Sequence, residues 1–298
     1  MRSTGRAGSI RFWRVDPVRA GLLQLSVGDL PADNVAPVRE AVRAAVTGGA
    51  GFVLTPECTN CISADRKHQQ QVLRPEGEDP VLAMLRDEAA RAGIWLLAGS
   101  VIVKTGDDSD PRFANRSVLI GPDGAVTARY DKIHLFDVQV SETETYRESN
   151  GIRPGDRAVT ARTDFATLGL SVCYDIRFPH LYRALAKAGA QVLTVPAAFS
   201  PVTGEAHWET LLRARAIETG CYVLAPAQTG QHPQTTGRKR ATYGHALAVA
   251  PWGEVLADAG TAPGVIFADL DMNEVEKARA RVPALTHDRP YDPPETIA

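Results

Sequence analysis

Short apolar runs alternate along this chain with stretches whose apolar residues recur at helical spacing. GLLQLSV (21–27) reads as a strand, and Val35, Val38, Val42 and Val46 then predict a helix capped by Asn34 and running to Val46. GFVLT (51–55) has the continuous apolar character of a strand buried on both faces. A helix over 79–92, stopped by Gly93, leads into the strand IWLLAGSVIV (94–103). RSVLI-GPDG-AVTARY predicts a hairpin over 116–130, with Pro and Gly at its turn.

The second half repeats the alternation. Strands are expected at 167–173 (TLGLSVC), 191–195 (QVLTV) and 221–225 (CYVLA), with helices at 179–188 and 206–219. Gly220 ends the second helix, and further strands surround the turn PWGE between 242 and 270. Strand–helix units mixed with hairpins, without an internal repeat or long linker, predict a layered α/β architecture in one domain. Residues 1–19, Arg-rich and lacking an apolar run, are expected to form a partly disordered extension rather than a signal peptide.

Composition narrows the class of partner. A net charge of -2 over 298 residues gives no broad basic field for nucleic acid or anionic lipid. No run approaches the roughly 20 apolar residues that span a bilayer. Four unevenly spaced cysteines without a secretory signal indicate a reducing, cytoplasmic setting. The expected partners are small molecules or other protein chains.

Three residues stand where strands end. Glu57 follows FVLT and Pro56, Lys132 follows the hairpin in RYDKIHLFD, and Cys173 lies where LGLSV gives way to a polar turn. Each has an ordinary reading alone: a loop carboxylate, a surface ammonium, a core thiol. Together they are chemically complementary. A thiol of pKa near 8.5 is mostly protonated at neutral pH and needs a base, which a carboxylate supplies. An ammonium stabilises both thiolate and oxyanion. His134 and His207 are competing candidates, although the papain-like signature around the cysteine is absent.

TPE (55–57), YDKIHLFD (130–137) and SVCYDIRFPHLYRALAKAGA (171–190), in this order, resemble the nitrilase (carbon–nitrogen hydrolase) superfamily. PAAFSPVTGEAHWETLLRARAIETGCYVLAPAQTGQH and TYGHALAVAPWGEV are similar to its Nit branch, and to the deaminated glutathione amidases within it. The resemblance implies an α-β-β-α sandwich over residues 20–290, with 291–298 as a tail, and a homodimer. It implies a Glu57–Lys132–Cys173 triad, a second glutamate at Glu148 and an oxyanion donor at the Tyr174 backbone N–H. It also implies substrate contacts from Phe199 and Thr203, with Tyr146 lining the pocket. Arg177, four residues past the cysteine, is the expected partner of the substrate's carboxylate, the ordinary reading being an ion pair with Asp175.

The implied reaction is amide hydrolysis through a thioester, without metal or organic cofactor. Deaminated glutathione would give 2-oxoglutarate and cysteinylglycine. An omega-amidase acting on 2-oxoglutaramate, or an N-carbamoyl amidohydrolase, would use the same triad, and a non-catalytic binding protein is the reading from another class. Two departures stand out: Ala250 replaces the aspartate frequent before the PWG turn, and SETETYRES lacks the usual Pro-Gly pattern. Cys58 and Cys61 form a CTNC pair beside Glu57, which opens a redox reading; no second pair at zinc-ligand spacing accompanies it.

Overall fold

The structure is a computed structural model that describes residues 17–139, 145–237 and 239–296. Most of the expected N-terminal extension lies outside the described residues. The first half contains β1 (Val18–Leu25), α1 (Pro31–Thr47), β2 (Phe52–Leu54), α2 (Arg66–Val72), α3 (Pro80–Ala92), β3 (Trp95–Val103), β4 (Ala114–Ile120) and β5 (Val126–Asp131). A small hairpin follows, β6 (Asp137–Gln139) and β7 (Thr145–Arg147). The second half has β8 (Val159–Arg162), β9 (Thr167–Leu170), α4 (Pro179–Lys187), β10 (Val192–Thr194), α5 (Pro201–Thr219) and β11 (Tyr222–Ala225). The chain closes with β12 (Ala227–Gln231), β13 (Ala241–Tyr243), β14 (Leu247–Val249), β15 (Val255–Asp258), β16 (Gly264–Leu270) and α6 (Met272–Arg281).

Two sheets form the centre. One runs β13-β12-β1-β2-β3-β4-β5, with β16 also pairing β1; the other runs β15-β14-β11-β10-β9-β8. Each has parallel strands at its heart, β12-β1-β2-β3 and β9-β10-β11, with antiparallel strands added outside. Side-chain alternation sorts the layers. Leu22, Leu54 and Leu97 lie in register and pack in a core shared with Leu168, Leu170 and Val192 of the facing sheet. Their neighbours Leu23, Val53 and Leu96 point the other way, into a core with Val38, Val42 and Leu85 of α1 and α3. Burial on both faces explains the uninterrupted apolar runs. Each such Leu contributes roughly 1.5–3 kcal/mol. Helices α4 and α5 cover the second sheet, and the result is an α-β-β-α sandwich in a single domain, as expected.

Several local expectations are corrected. Asn34 does not cap α1: the helix starts at Pro31, and Asn34 instead binds Gly28 and the Asn60 carbonyl, tying two loops together. Helix α5 starts at Pro201, five residues before the apolar periodicity begins, because Pro at the first helical position is pre-set for the turn. Strand β9 stops at Leu170, so Cys173 lies beyond it in a single 3₁₀ turn, Cys173–Arg177.

Candidate active site

The ends of β2, β5, β9 and β10 open towards one cavity of about 350 Å³. Carboxyl ends of parallel strands in α/β sheets commonly form such crevices.

Glu57 is fixed first by its backbone. Thr55 donates its N–H to Leu97 at 3.0 Å, and its hydroxyl accepts the Gly99 N–H at 3.0 Å. A Cβ on Gly99 would stand 1.7 Å from the Thr55 carbonyl oxygen, so only glycine permits this approach. The Gln228 amide donates to the Glu57 carbonyl at 3.0 Å. At the buried carboxylate, Oε1 accepts from Asn115 and from Lys132 Nζ, both at 2.9 Å, and Oε2 accepts the Ala198 N–H at 2.9 Å.

Lys132, almost wholly buried just past β5, lies between two carboxylates: Glu57 at 2.9 Å and Glu148 at 3.1 and 2.9 Å to its two oxygens. Cys173 has φ of 48°, a left-handed conformation uncommon for a residue with a Cβ. Its N–H donates to the Pro196 carbonyl at 2.9 Å, and its side chain shares the cavity wall with Glu57, Lys132 and Ala198. The turn is pinned by Asp175, which accepts from Val172 N–H at 2.8 Å, Tyr130 Oη at 2.7 Å and His134 N–H at 3.1 Å.

The electrostatics fix the resting protonation state. Burial and the Glu57 charge push the Cys173 thiol well above its ordinary pKa, so it rests as a neutral thiol. Burial opposes the charge of Glu57, yet Lys132 and the Cys173 thiol hold its carboxyl below the usual range. Burial likewise opposes the Lys132 charge, and Glu148 and Glu57 more than restore it. A neutral thiol therefore rests beside an ionised carboxylate and an ammonium.

Glu57, Lys132, Cys173, Glu148, Tyr174, Phe199, Thr203 and Tyr146 all line this cavity. The Tyr174 N–H has no acceptor among the described residues. Arg177, expected to meet the substrate's carboxylate, lies beside two of these residues. It does not line the cavity but packs over the Tyr174 and Phe199 rings at 5.8 and 5.5 Å, with His207 Nδ1 at 3.3 Å. Its pairing with Asp175 also fails, because Asp175 is consumed by Tyr130, Val172 and His134. Neither candidate histidine lines the cavity: His134 is bound by Asp175 at 2.7 Å and His207 by Arg177.

The CTNC pair is unfavourable for redox chemistry. Cys58 and Cys61 are free, buried thiols, and burial pushes Cys61 up to about 12 and Cys58 well above its ordinary range. No group of three or more metal-ligating side chains occurs among the described residues.

Sequence reasoning missed Asn115, Arg66 and Arg240, all in the cavity wall. Asn115 had a signal, a lone amide leading into the apolar strand SVLI. The two arginines had none, since each lies among polar residues that read as surface.

This arrangement and the sandwich define the class. Residues 19–280 match the carbon-nitrogen hydrolase family, and the chain belongs to it. It is a hydrolase of carbon–nitrogen bonds other than peptide bonds. The chain is 38% identical to a deaminated glutathione amidase of Yersinia enterocolitica over 269 residues, covering 90% of this chain and 92% of that protein. It is 34% identical to the omega-amidase of Homo sapiens over 91% of this chain and 95% of that protein. The NitFhit protein of C. elegans has a similar structure, with a TM-score of 0.84 and 35% identity, over 93% of this chain and 66% of that longer chain.

Proposed function

We propose that the protein hydrolyses the amide of deaminated glutathione, releasing 2-oxoglutarate and cysteinylglycine, through a thioester on Cys173. One observation carries the reading: the buried Glu57 carboxylate, bound to Lys132 at 2.9 Å, and Cys173 together line the wall of a cavity large enough for a small substrate.

Glu57 takes the thiol proton as Cys173 attacks the amide carbon. The developing oxyanion is received by Lys132 and the Tyr174 N–H. An ammonium carries three N–H donors. Glu57 and both oxygens of Glu148 take these donors at rest, and the oxyanion takes over the donor of the longer, 3.1 Å contact to Glu148. Glu57 then gives its proton to the departing nitrogen, leaving the acyl group on sulfur. Water delivers a proton to Glu57 and its hydroxide to the thioester carbon, and the thiol is regenerated as the acid leaves. Glu148 positions Lys132. One oxyanion donor of this kind is worth ~10²–10³ in rate.

The acyl side is assigned to Phe199, Thr203 and Tyr146. The hydroxyls of Thr203 and Ser200, at the start of α5, are buried in the cavity wall without hydrogen-bond partners among the described residues. A substrate carboxylate would satisfy both, and an α-helix N-terminus favours negative charge. The same acyl side would accept 2-oxoglutaramate, so omega-amidase activity is the second reading, favoured by the likeness to the human omega-amidase.

A homodimer is part of the proposal. Trp208 and Leu212 of α5 are core and Leu211 is partly buried, while Ile217 and the nearby Trp252 are 58% and 43% exposed. Apolar side chains left outside in this way mark protein contacts. A cytoplasmic setting is supported by the four unpaired cysteines; no helix among the described residues is long and apolar enough to cross a membrane.

The test is release of 2-oxoglutarate from deaminated glutathione and from 2-oxoglutaramate, side by side. Turnover of the first at equal or higher kcat/KM supports the assignment. Turnover of the second alone replaces it with the omega-amidase reading.

A further inference from the structure

Asn115, almost wholly buried on β4, touches both glutamates of the site. Its Nδ2 donates to Glu57 Oε1 at 2.9 Å and to Glu148 Oε1 at 3.3 Å. Lys132 Nζ donates to the same two oxygens, at 2.9 and 3.1 Å. Two donors and two acceptors thus alternate in a closed ring, and both protons of the Asn115 amide are spent in it. Its Oδ1 is buried with no hydrogen-bond partner among the described residues. Turning the amide over would aim that oxygen at two carboxylates, so the orientation is fixed although it strands a buried acceptor. An apolar side chain of the same shape would spare that cost. What accounts for an amide here is the pair of donors it supplies, not stability.

The ring carries a charge imbalance, with two carboxylates against the one ammonium. The other charged or titratable groups around it do not bind these oxygens. The Cys173 and Cys58 thiols are neutral, Arg240 donates to the Ala198 carbonyl at 3.1 Å, and Arg66 meets Glu148 only at its backbone carbonyl, at 3.3 Å. In the reaction proposed above, Lys132 turns the donor of its 3.1 Å contact from Glu148 to the oxyanion. Glu148 Oε2 keeps Lys132 and the Phe136 N–H, the latter at 2.7 Å, but Glu148 Oε1 is left with Asn115 as its donor. We propose that Asn115 is a positioning residue of the reaction: its amide holds both glutamates charged about one ammonium, and keeps Glu148 bound while Lys132 turns to the oxyanion.

This role rests on the proposed amidase mechanism. Its test is the pH profile of kcat/KM for Asn115→Leu, close in size and without donors. The substrate is whichever of deaminated glutathione and 2-oxoglutaramate the unaltered protein turns over faster. Glu57 must be ionised to act as base, so activity falls as pH drops through its pKa. Fewer donors raise that pKa, and the acid limb should move up by about one pH unit, with kcat about tenfold to a hundredfold lower and KM changed less. The position of the limb is independent of the fraction folded. Asn115→Ser, which keeps one short-armed donor, should lose less on both counts, and it decides the matter if the Leu variant yields no folded protein. A lower kcat with the limb unmoved would reduce Asn115 to a packing residue and overturn the role. An unchanged kcat would overturn it as well. Absence of turnover of both substrates by the unaltered protein would instead sink the amidase assignment, and this role with it.

Discussion

The Tyr130 hydroxyl donates to Asp175 Oδ2 at 2.7 Å, and this contact joins the two sheets at the site. Tyr130 lies two residues before Lys132 and Asp175 two after Cys173. Asp175 Oδ1 meanwhile accepts the N–H of His134, two residues beyond Lys132, at 3.1 Å. One fully buried carboxylate thus fixes the backbone of the lysine against the turn of the cysteine.

Tyr130→Phe removes the hydroxyl and leaves Asp175 Oδ2 with only the Val172 N–H. Loss of such a buried partner costs about 1–3 kcal/mol. Chemical denaturation should show that loss, and kcat should fall more than KM rises, because the two halves of the site lose their register. Unchanged kcat would show that the clamp does not position the turn.

Glu148→Gln keeps the shape but removes half of the negative charge around Lys132. The ammonium then pairs more tightly with Glu57 and draws the base away from the thiol. A fall in kcat of ~10²-fold is expected, within the range of general-base effects. Glu148→Asp, which keeps the charge on a shorter arm, should lose less. Steady-state kinetics of the two variants checks the order.

His232 makes stability pH-dependent. Its Nδ1 faces the Val27 carbonyl at 2.9 Å, so that nitrogen carries the proton, and Nε2 accepts from Thr242 at 2.8 Å. Burial lowers its pKa from 6.5 to about 4. The unfolded chain therefore binds more protons between these values. The stabilisation is complete above pH ~6.5 and is lost as pH falls towards 4, in total on the order of 3 kcal/mol. Melting at graded pH should show the fall, and His232→Gln should flatten it.

Gly99→Ala places a methyl group 1.7 Å from the Thr55 carbonyl, two residues before Glu57. The backbone must move, and with it the carboxylate. Both melting temperature and kcat should drop; an unperturbed melt would contradict this packing.

The sandwich was legible because strand endings are, whereas Glu57, Lys132 and Cys173 were grouped by the resemblance to the carbon–nitrogen hydrolases. Continuous apolar runs mark strands buried twice, and a polar residue just past each run must sit at a sheet edge. What the sequence hides is conformation that local pattern does not encode. The positive φ of Cys173 and the early start of α5 both depend on tertiary contacts. Arg240 and Arg66 are 174 positions apart and line one cavity only because the segments that carry them return to it. The immediate surroundings of Arg177 were hidden for the same reason: the Tyr174 and Phe199 rings and His207 meet it from different elements.

The account stands on Cys173 as the atom that breaks the amide bond. Acid-quenched mass spectrometry during turnover of deaminated glutathione should find the 2-oxoglutaryl group on the peptide containing Cys173, and Cys173→Ala should show neither adduct nor product. Product formation by that variant at the rate of the unaltered protein would contradict the account outright.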